Sequence, residues 1–263
     1  MLQIALGLVQ HGVKTTIISL EMTADQVLER MMALDMEIDL FSILSLPSKN
    51  IPQRVFDGIS DFAKKVEEYK KCLHIIDDFG YTTDEMNRLF EDIYQDKPQV
   101  VLLDHLQHIR CDNRRTLEAI DDYLLTMKEF AKKNNICFVV LSQVNRQGSE
   151  KPTLSHLKSS GKIEEISDTI LLINRNKTII DANNCELIIA KQRYGPVGEH
   201  PVYFCGAYTK FFDSHEDYMK RRVQNVKKIS LVKDFSTYVD RANKEPKELT
   251  DPLDAVAEQW REQ

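Results

Sequence analysis

Pro98-Gln99-Val100-Val101-Leu102-Leu103-Asp104 is the stretch on which the fold turns. Its run of apolar residues does not alternate with polar ones. That marks a strand buried on both faces, as in a parallel sheet covered by helices. The run stops on an acid. Ile136-Cys137-Phe138-Val139-Val140-Leu141 repeats the pattern, reads as a second doubly buried strand, and ends on Ser142-Gln143. Between the two, residues 116–133 place Leu117, Ile120, Leu124, Met127 and Ala131 at helical spacing. Strand, amphipathic helix, strand is the pattern of a parallel crossover.

The same alternation extends towards the amino terminus. Leu2, Ala5, Leu8 and Val9 share one helical face, and Gly12 is a natural stop. Val13–Ser19 is β-branched and apolar, a strand. Thr23-Ala24-Asp25-Gln26 is a capping box, predicting a helix with Val27, Leu28, Met31 and Met32 inward. Residues 37–71 read as helical with breaks near Pro47 and Pro52, residues 72–76 as a short strand, and a helix opens at Thr83. Beyond Gln143 a polar loop runs to Gly161, and strands follow at 169–174, 185–190, 201–205 and 209–212. Alternation first, strands afterwards: the fold class is α/β, a doubly wound, mostly parallel sheet with an antiparallel extension at one edge.

Composition sets bounds. At 263 residues, 42% hydrophobic and 29% charged, the chain can bury a sizeable core without disulfides. The cysteines (72, 111, 137, 185 and 205) are scattered and form no CxxC, so they read as reduced thiols, mostly in the core. No apolar run approaches the ~18–20 residues that span a bilayer. The opening segment lacks a basic region and a small-residue cleavage site, which argues for a cytoplasmic protein. A net charge of −6 excludes a surface that is basic throughout but permits a local basic loop. Residues 214–263 hold ten basic and ten acidic side chains and read as a charged tail.

In open parallel sheets, ligands sit beyond the carboxyl ends of the strands. Glu21, Asp104, Gln143 and the pair Lys191 and Arg193 each follow such a strand. An apolar strand ending on a lone Asp suits Mg²⁺ held through water beside a nucleotide. A neighbouring Glu can orient an attacking water, and a Gln can sense a γ-phosphate. Any one strand can end on a polar residue because its end is solvated; the weight lies in the joint order.

Here the motifs become specific. SLEMTADQVLERMMA (19–33), VVLLDHLQHI (100–109), LSQVNR (141–146), PTLSHLKSSGKIEEISDTILLINR (152–175) and ELIIAKQRYGPVGEHPVYFCGAYTKFFD (186–213) resemble, in order, the motifs of the DnaB family of replicative DNA helicases, which carry a RecA-like motor. The resemblance covers residues 1–213 and implies ATP and Mg²⁺ as cofactors, single-stranded DNA as partner and a homo-oligomer, a hexameric ring, with a primase or helicase loader as a further partner. By position, Glu21 resembles the Glu that polarises water, Asp104 the Mg²⁺-binding Asp and Gln143 the phosphate sensor. Lys191 and Arg193 resemble the pair that reaches a neighbouring subunit's ATP, Arg193 as arginine finger. Lys158, Ser159 and Gly161, with Arg146, match the loop that grips DNA. The family usually has Arg-Glu where this chain has Lys158-Ser159, which keeps a cation but loses the guanidinium fork. His105, His108 and Cys111 are spaced H-x₂-H-x₂-C, but the sequence indicates no fourth metal ligand and the family uses none there.

No G-x-x-x-x-G-K-[ST] occurs in the sequence. The resemblance places that phosphate loop directly before the helix of residues 1–11, so the chain is expected to begin just after it and to lack the first strand. The leading reading is a helicase motor domain inactive alone. An ATPase-dead adaptor that binds DNA or assembles with a ring is the alternative. A RecA-type recombinase fits the segments at 19–22 and 191–198 less well.

Overall fold

The computed structural model describes residues 1–39, 53–78, 81–109, 116–144, 151–157, 160–175 and 184–221. Pro47, Pro52, Cys111, Arg146, Lys158, Ser159 and the tail from 222 onwards lie outside them, as do the readings made for them.

In chain order the elements are α1 (Leu2–Gln10), β1 (Thr15–Ser19), α2 (Ala24–Met36), α3 (Gln53–Tyr69), β2 (Leu73–Ile76), α4 (Thr83–Tyr94), β3 (Val100–Asp104), α5 (Thr116–Asn134) and β4 (Cys137–Val140). There follow α6 (Ser160–Ile166), β5 (Thr169–Arg175), β6 (Asn184–Gln192), β7 (Gly198–Cys205) and β8 (Lys210–Phe212). Gly12, at φ 71°, makes the turn out of α1 in a conformation that an L side chain rarely adopts. Thr23 and Gln26 close the expected capping box of α2, and Asp77 accepts from the Ala24 N–H at 2.7 Å. Thr82, one residue before the expected start, caps α4 with Glu85.

β1 to β4 form a parallel sheet in the order β2-β1-β3-β4. Two apolar cores explain the unbroken apolar strands. Ile17 and Leu102 point into one core with α1, α2 and α3. Ile18, Val101 and Leu103 point into the other with α4 and α5. Alternate side chains along one strand thus serve opposite layers. Each fully buried Leu or Ile contributes about 1.5–3 kcal/mol relative to exposure. The chain leaves β1 for β2 on one side and returns to β3 on the other, so the winding reverses between β1 and β3. Their carboxyl ends flank the crevice where such sheets bind ligands.

Three expectations change. β4 ends the parallel sheet among the described residues, and there Cys137 is exposed and Phe138, Val139 and Val140 are half-buried rather than fully buried. Among the cysteines described, only Cys185 is buried, because Cys137 occupies that edge and Cys72 and Cys205 are half-covered. The expected antiparallel extension is present: β5-β6-β7-β8 hydrogen-bond as a second sheet, joined to the parallel one through the shared core of Leu103, Ile170, Leu172 and Ile188. In α1 it is Leu6, with Ala5 and Val9, that is buried, and Leu8 is half-covered.

The last strand returns to the first helix. Gln3 exchanges two hydrogen bonds with the Phe211 backbone, at 3.0 and 2.8 Å. Glu37, at the end of α2, is paired with Lys210 at 2.7 Å and Arg221 at 3.0 Å.

Candidate nucleotide site

Strand order brings three expected residues to adjacent strand ends. β1 and β3 are in register from Thr15 opposite Val100 to Ser19 opposite Asp104. The Leu20 N–H donates to the Asp104 carbonyl at 2.6 Å, fastening the loop that carries Glu21 to the end of β3. The buried Ser19 hydroxyl shapes that loop, donating to the Met22 carbonyl at 2.6 Å and accepting from the Met22 N–H at 3.1 Å. β4 lies on the other side of β3 and delivers Gln143 just beyond its end.

Asp104 is half-buried, and burial pushes its carboxyl up from the ordinary range. The Glu21 charge adds to that shift, and the His105 ring works against it only when protonated. Among the described residues no side chain donates a hydrogen bond to this carboxylate. The amino end of α1 lies within electrostatic reach of it. A desolvated, unpaired carboxylate at a strand end fits a divalent cation bound through water. No G-x-x-x-x-G-K-[ST] phosphate-loop motif occurs in these 263 residues.

His105, which follows Asp104 through a cis peptide bond, ties the site together. It is buried, with Nε2 at 3.0 Å from the Gln143 side-chain nitrogen and 3.5 Å from a carboxylate oxygen of the exposed Glu21. Its Nδ1 faces the Gln107 side-chain oxygen at 3.1 Å. That same oxygen accepts from the Gln143 backbone N–H at 3.1 Å, and the Gln107 nitrogen donates to Ser142 at 2.8 Å. Gln107 was not singled out in the sequence. Its signal is only its place two residues beyond a site histidine, inside an otherwise apolar turn.

Lys191 and Arg193 sit elsewhere. Lys191 donates to the Glu164 carbonyl at the end of α6. The Arg193 Nε lies 3.2 Å from Asp168, which also holds Lys128. Neither cation contacts Glu21, Asp104 or Gln143 among the described residues. Beside them Tyr194 is 89% exposed and Val197 64% exposed, a large apolar outlay next to a guanidinium. Asp168, which orients Arg193, was missed in the sequence because it is one acid in an acidic turn. Gly161 lies in the first turn of α6 with open space around it.

A family model described as DnaB-like helicase C terminal domain matches residues 1–213. The replicative DNA helicase DnaB of Haemophilus influenzae is 30% identical over 208 residues, covering 74% of this chain and 44% of that protein. A probable plasmid replicative DNA helicase of Chlamydia trachomatis is 30% identical over 205 residues, covering 74% and 43%. The chain thus spans less than half the length of these curated relatives. Among solved structures, an ATPase domain superposes with a TM-score of 0.71 at 23% identity, covering 81% of this chain and 79% of that one. A DnaB-like replicative helicase, solved in a study of its interactions with primase, gives 0.70 at 23%, covering 80% and 53%. These likenesses agree with the RecA-like arrangement of strands described above, and the match across residues 1–213 settles the kinship: the chain belongs to the DnaB-like helicase C-terminal domain family.

Proposed function

We propose that residues 1–213 are the motor domain of an ATP-driven DNA helicase, followed by a charged tail from 214, and that they work on single-stranded DNA within a hexameric ring of identical subunits. The observation that carries this reading is the placement of Glu21, Asp104 and Gln143 on the adjacent ends of β1, β3 and β4, across the point where the winding reverses. In this reading Asp104 holds Mg²⁺ through water, and Mg²⁺ supplies charge neutralisation for ATP phosphates. Glu21 accepts a hydrogen bond from the attacking water and takes its proton. Gln143 reports the γ-phosphate to the DNA-binding segment that begins at Val144.

Lys191 and Arg193 serve the site of the adjacent subunit. Their partners among the described residues, Glu164, Glu165 and Asp168, lie outside the Glu21 cluster, and this with the exposed Tyr194 and Val197 beside them supports that assignment. Arg146, Lys158, Ser159 and Gly161 hold DNA phosphates, by charge and by backbone N–H groups. A primase or loader would dock on the assembled ring. No helix of the described residues is long and apolar enough to cross a membrane; a helicase of this kind would act on bacterial DNA in the cytoplasm.

A fusion carrying a relative's phosphate loop and preceding strand ahead of Leu2 tests the proposal. Its ATPase should rise on adding single-stranded DNA and vanish with Glu21→Gln, while the 263-residue chain alone shows no turnover. Turnover that survives Glu21→Gln would overturn the assignment.

A further inference from the structure

Glu21, His105 and His108 each turn a ligating atom towards one point, and these atoms lie within 4.8 Å of one another. His105 and His108 bracket a short 3₁₀ turn closed by the His108 N–H on the His105 carbonyl at 3.0 Å. Their rings meet edge-on with centroids 4.3 Å apart. The third donor comes from the loop after β1, which is why H-x₂-H spacing alone did not disclose the set.

The proton positions can be derived. The Gln143 backbone N–H can only donate, so the Gln107 atom it meets is the amide oxygen. That oxygen accepts, so His105 Nδ1, 3.1 Å away, carries a proton. In the neutral ring Nε2 is then a bare lone pair. It accepts from Gln143 and faces the Glu21 carboxylate at 3.5 Å. A lone pair opposite a carboxylate, with no proton between them, is a place that favours a cation. The Gln107 contact is also the outer hydrogen bond that metal-binding histidines ordinarily make.

We propose that Glu21, His105 and His108 form a binding site for a transition-metal ion of the Zn²⁺ class, separate from the Mg²⁺ position at Asp104. Two imidazoles and one carboxylate suit borderline ions, whereas Mg²⁺ and Ca²⁺ prefer oxygen donors throughout. His105 is buried and fixed by Gln107, while Glu21 and His108 are exposed and can rotate to close the set. Water completes the coordination. Occupation breaks the hydrogen bond between Gln143 and His105 Nε2 and engages the Glu21 carboxylate. In terms of the proposed ATPase, and resting on that reading, the ion is an inhibitor acting on Glu21 and Gln143 together. The binding itself does not depend on that reading.

The test uses the 263-residue chain, reduced, with Co²⁺ as spectroscopic probe. One Co²⁺ per chain should bind with visible d–d bands and without a thiolate charge-transfer band. Zn²⁺ should displace it, and excess Mg²⁺ should not. His108→Ala and Glu21→Gln, both at exposed positions, should each weaken Co²⁺ binding about tenfold or more, and Gln107→Ala, which leaves all three ligands, by about 10–100-fold. Circular dichroism should show the variants folded. Unchanged affinity in folded His108→Ala overturns the site. So does a thiolate band that disappears with Cys111→Ser.

Discussion

The Gln143 side-chain amide meets His105 Nε2 at 3.0 Å, and the same nitrogen stands 3.5 Å from Glu21. The proposed phosphate sensor and the proposed water-activating carboxylate therefore share one imidazole. Movement of Gln143 towards a nucleotide changes what Glu21 faces.

In the phosphate-loop fusion, His105→Phe should keep the ring and remove the shared nitrogen. The expected result is a fall in kcat of about 10–100-fold, the scale of a modest misplacement of a reacting group, with KM for ATP nearly unchanged. Steady-state kinetics over a range of ATP concentrations separate the two. An equal rise in KM with kcat intact would assign His105 to binding instead.

For Arg193, the expectation is a loss of about 10³ or more in kcat on Arg193→Ala, the scale of an arginine finger. Mixed with Glu21→Gln subunits, Arg193→Ala subunits should recover part of the activity, because the two changes damage different sites. No recovery at any mixing ratio removes support for action between subunits.

Lys128, beside Asp168, holds that carboxyl below its usual range, with further help from the charges of Arg193 and Lys191. A depressed pKa in the folded state means the charged form is favoured by folding. Its contribution is complete above the ordinary carboxylate value of about 3.9 and disappears as pH falls through the folded value. Because Asp168 is half-exposed, the amount is small, about 0.2–1 kcal/mol. The Tm difference between the chain and Asp168→Asn should be constant from about pH 8 to pH 5 and shrink below about pH 4. A difference that grows on acidification contradicts the pairing.

Tyr123 is 1% exposed, stacks on Phe90 with ring centroids 5.7 Å apart, and its hydroxyl finds no partner among the described residues. Tyr123→Phe removes a buried orphan donor and leaves the ring. It should stabilise the domain by about 1 kcal/mol, read as a higher urea midpoint at unchanged slope. Destabilisation would reveal a partner for the hydroxyl.

DNA binding should scale with assembly. In the proposed role, one loop with Lys158 would neutralise about one or two phosphates and give a shallow dependence on salt. Several loops around one strand multiply the slope. Fluorescence anisotropy on monomer and ring, across a salt series, measures both. Lys158→Ala should weaken ring binding about equally for all sequences.

The parallel sheet was legible because Val100–Leu103 and Thr15–Ile18 have to feed two cores, and that demand leaves an unbroken apolar signature. Cys137-Phe138-Val139-Val140 is as apolar as those strands, and among the described residues it pairs with β3 alone. Glu21, Asp104 and Gln143 were legible from their strand ends. What His105 does between them was not. It depends on a ring nitrogen's proton, set by Gln107, and on a loop that arrives from more than eighty positions earlier in the chain. Asp168 was invisible likewise, since its meaning comes only from Lys128 and Arg193 meeting it in space.

The clasp between Gln3 and Phe211 spans 208 positions, and Lys210 and Arg221 fasten the end of α2 at Glu37 from the same distant segment. On a ribosome, α1 is made 208 positions before its last partner. Closing so wide a loop is entropically slow, and until then the apolar faces of α1 and α2 depend on each other, on α3 and on the parallel strands. Released chains truncated before Tyr208 should therefore yield readily to protease near α1, and released chains that continue beyond Arg221 should resist it.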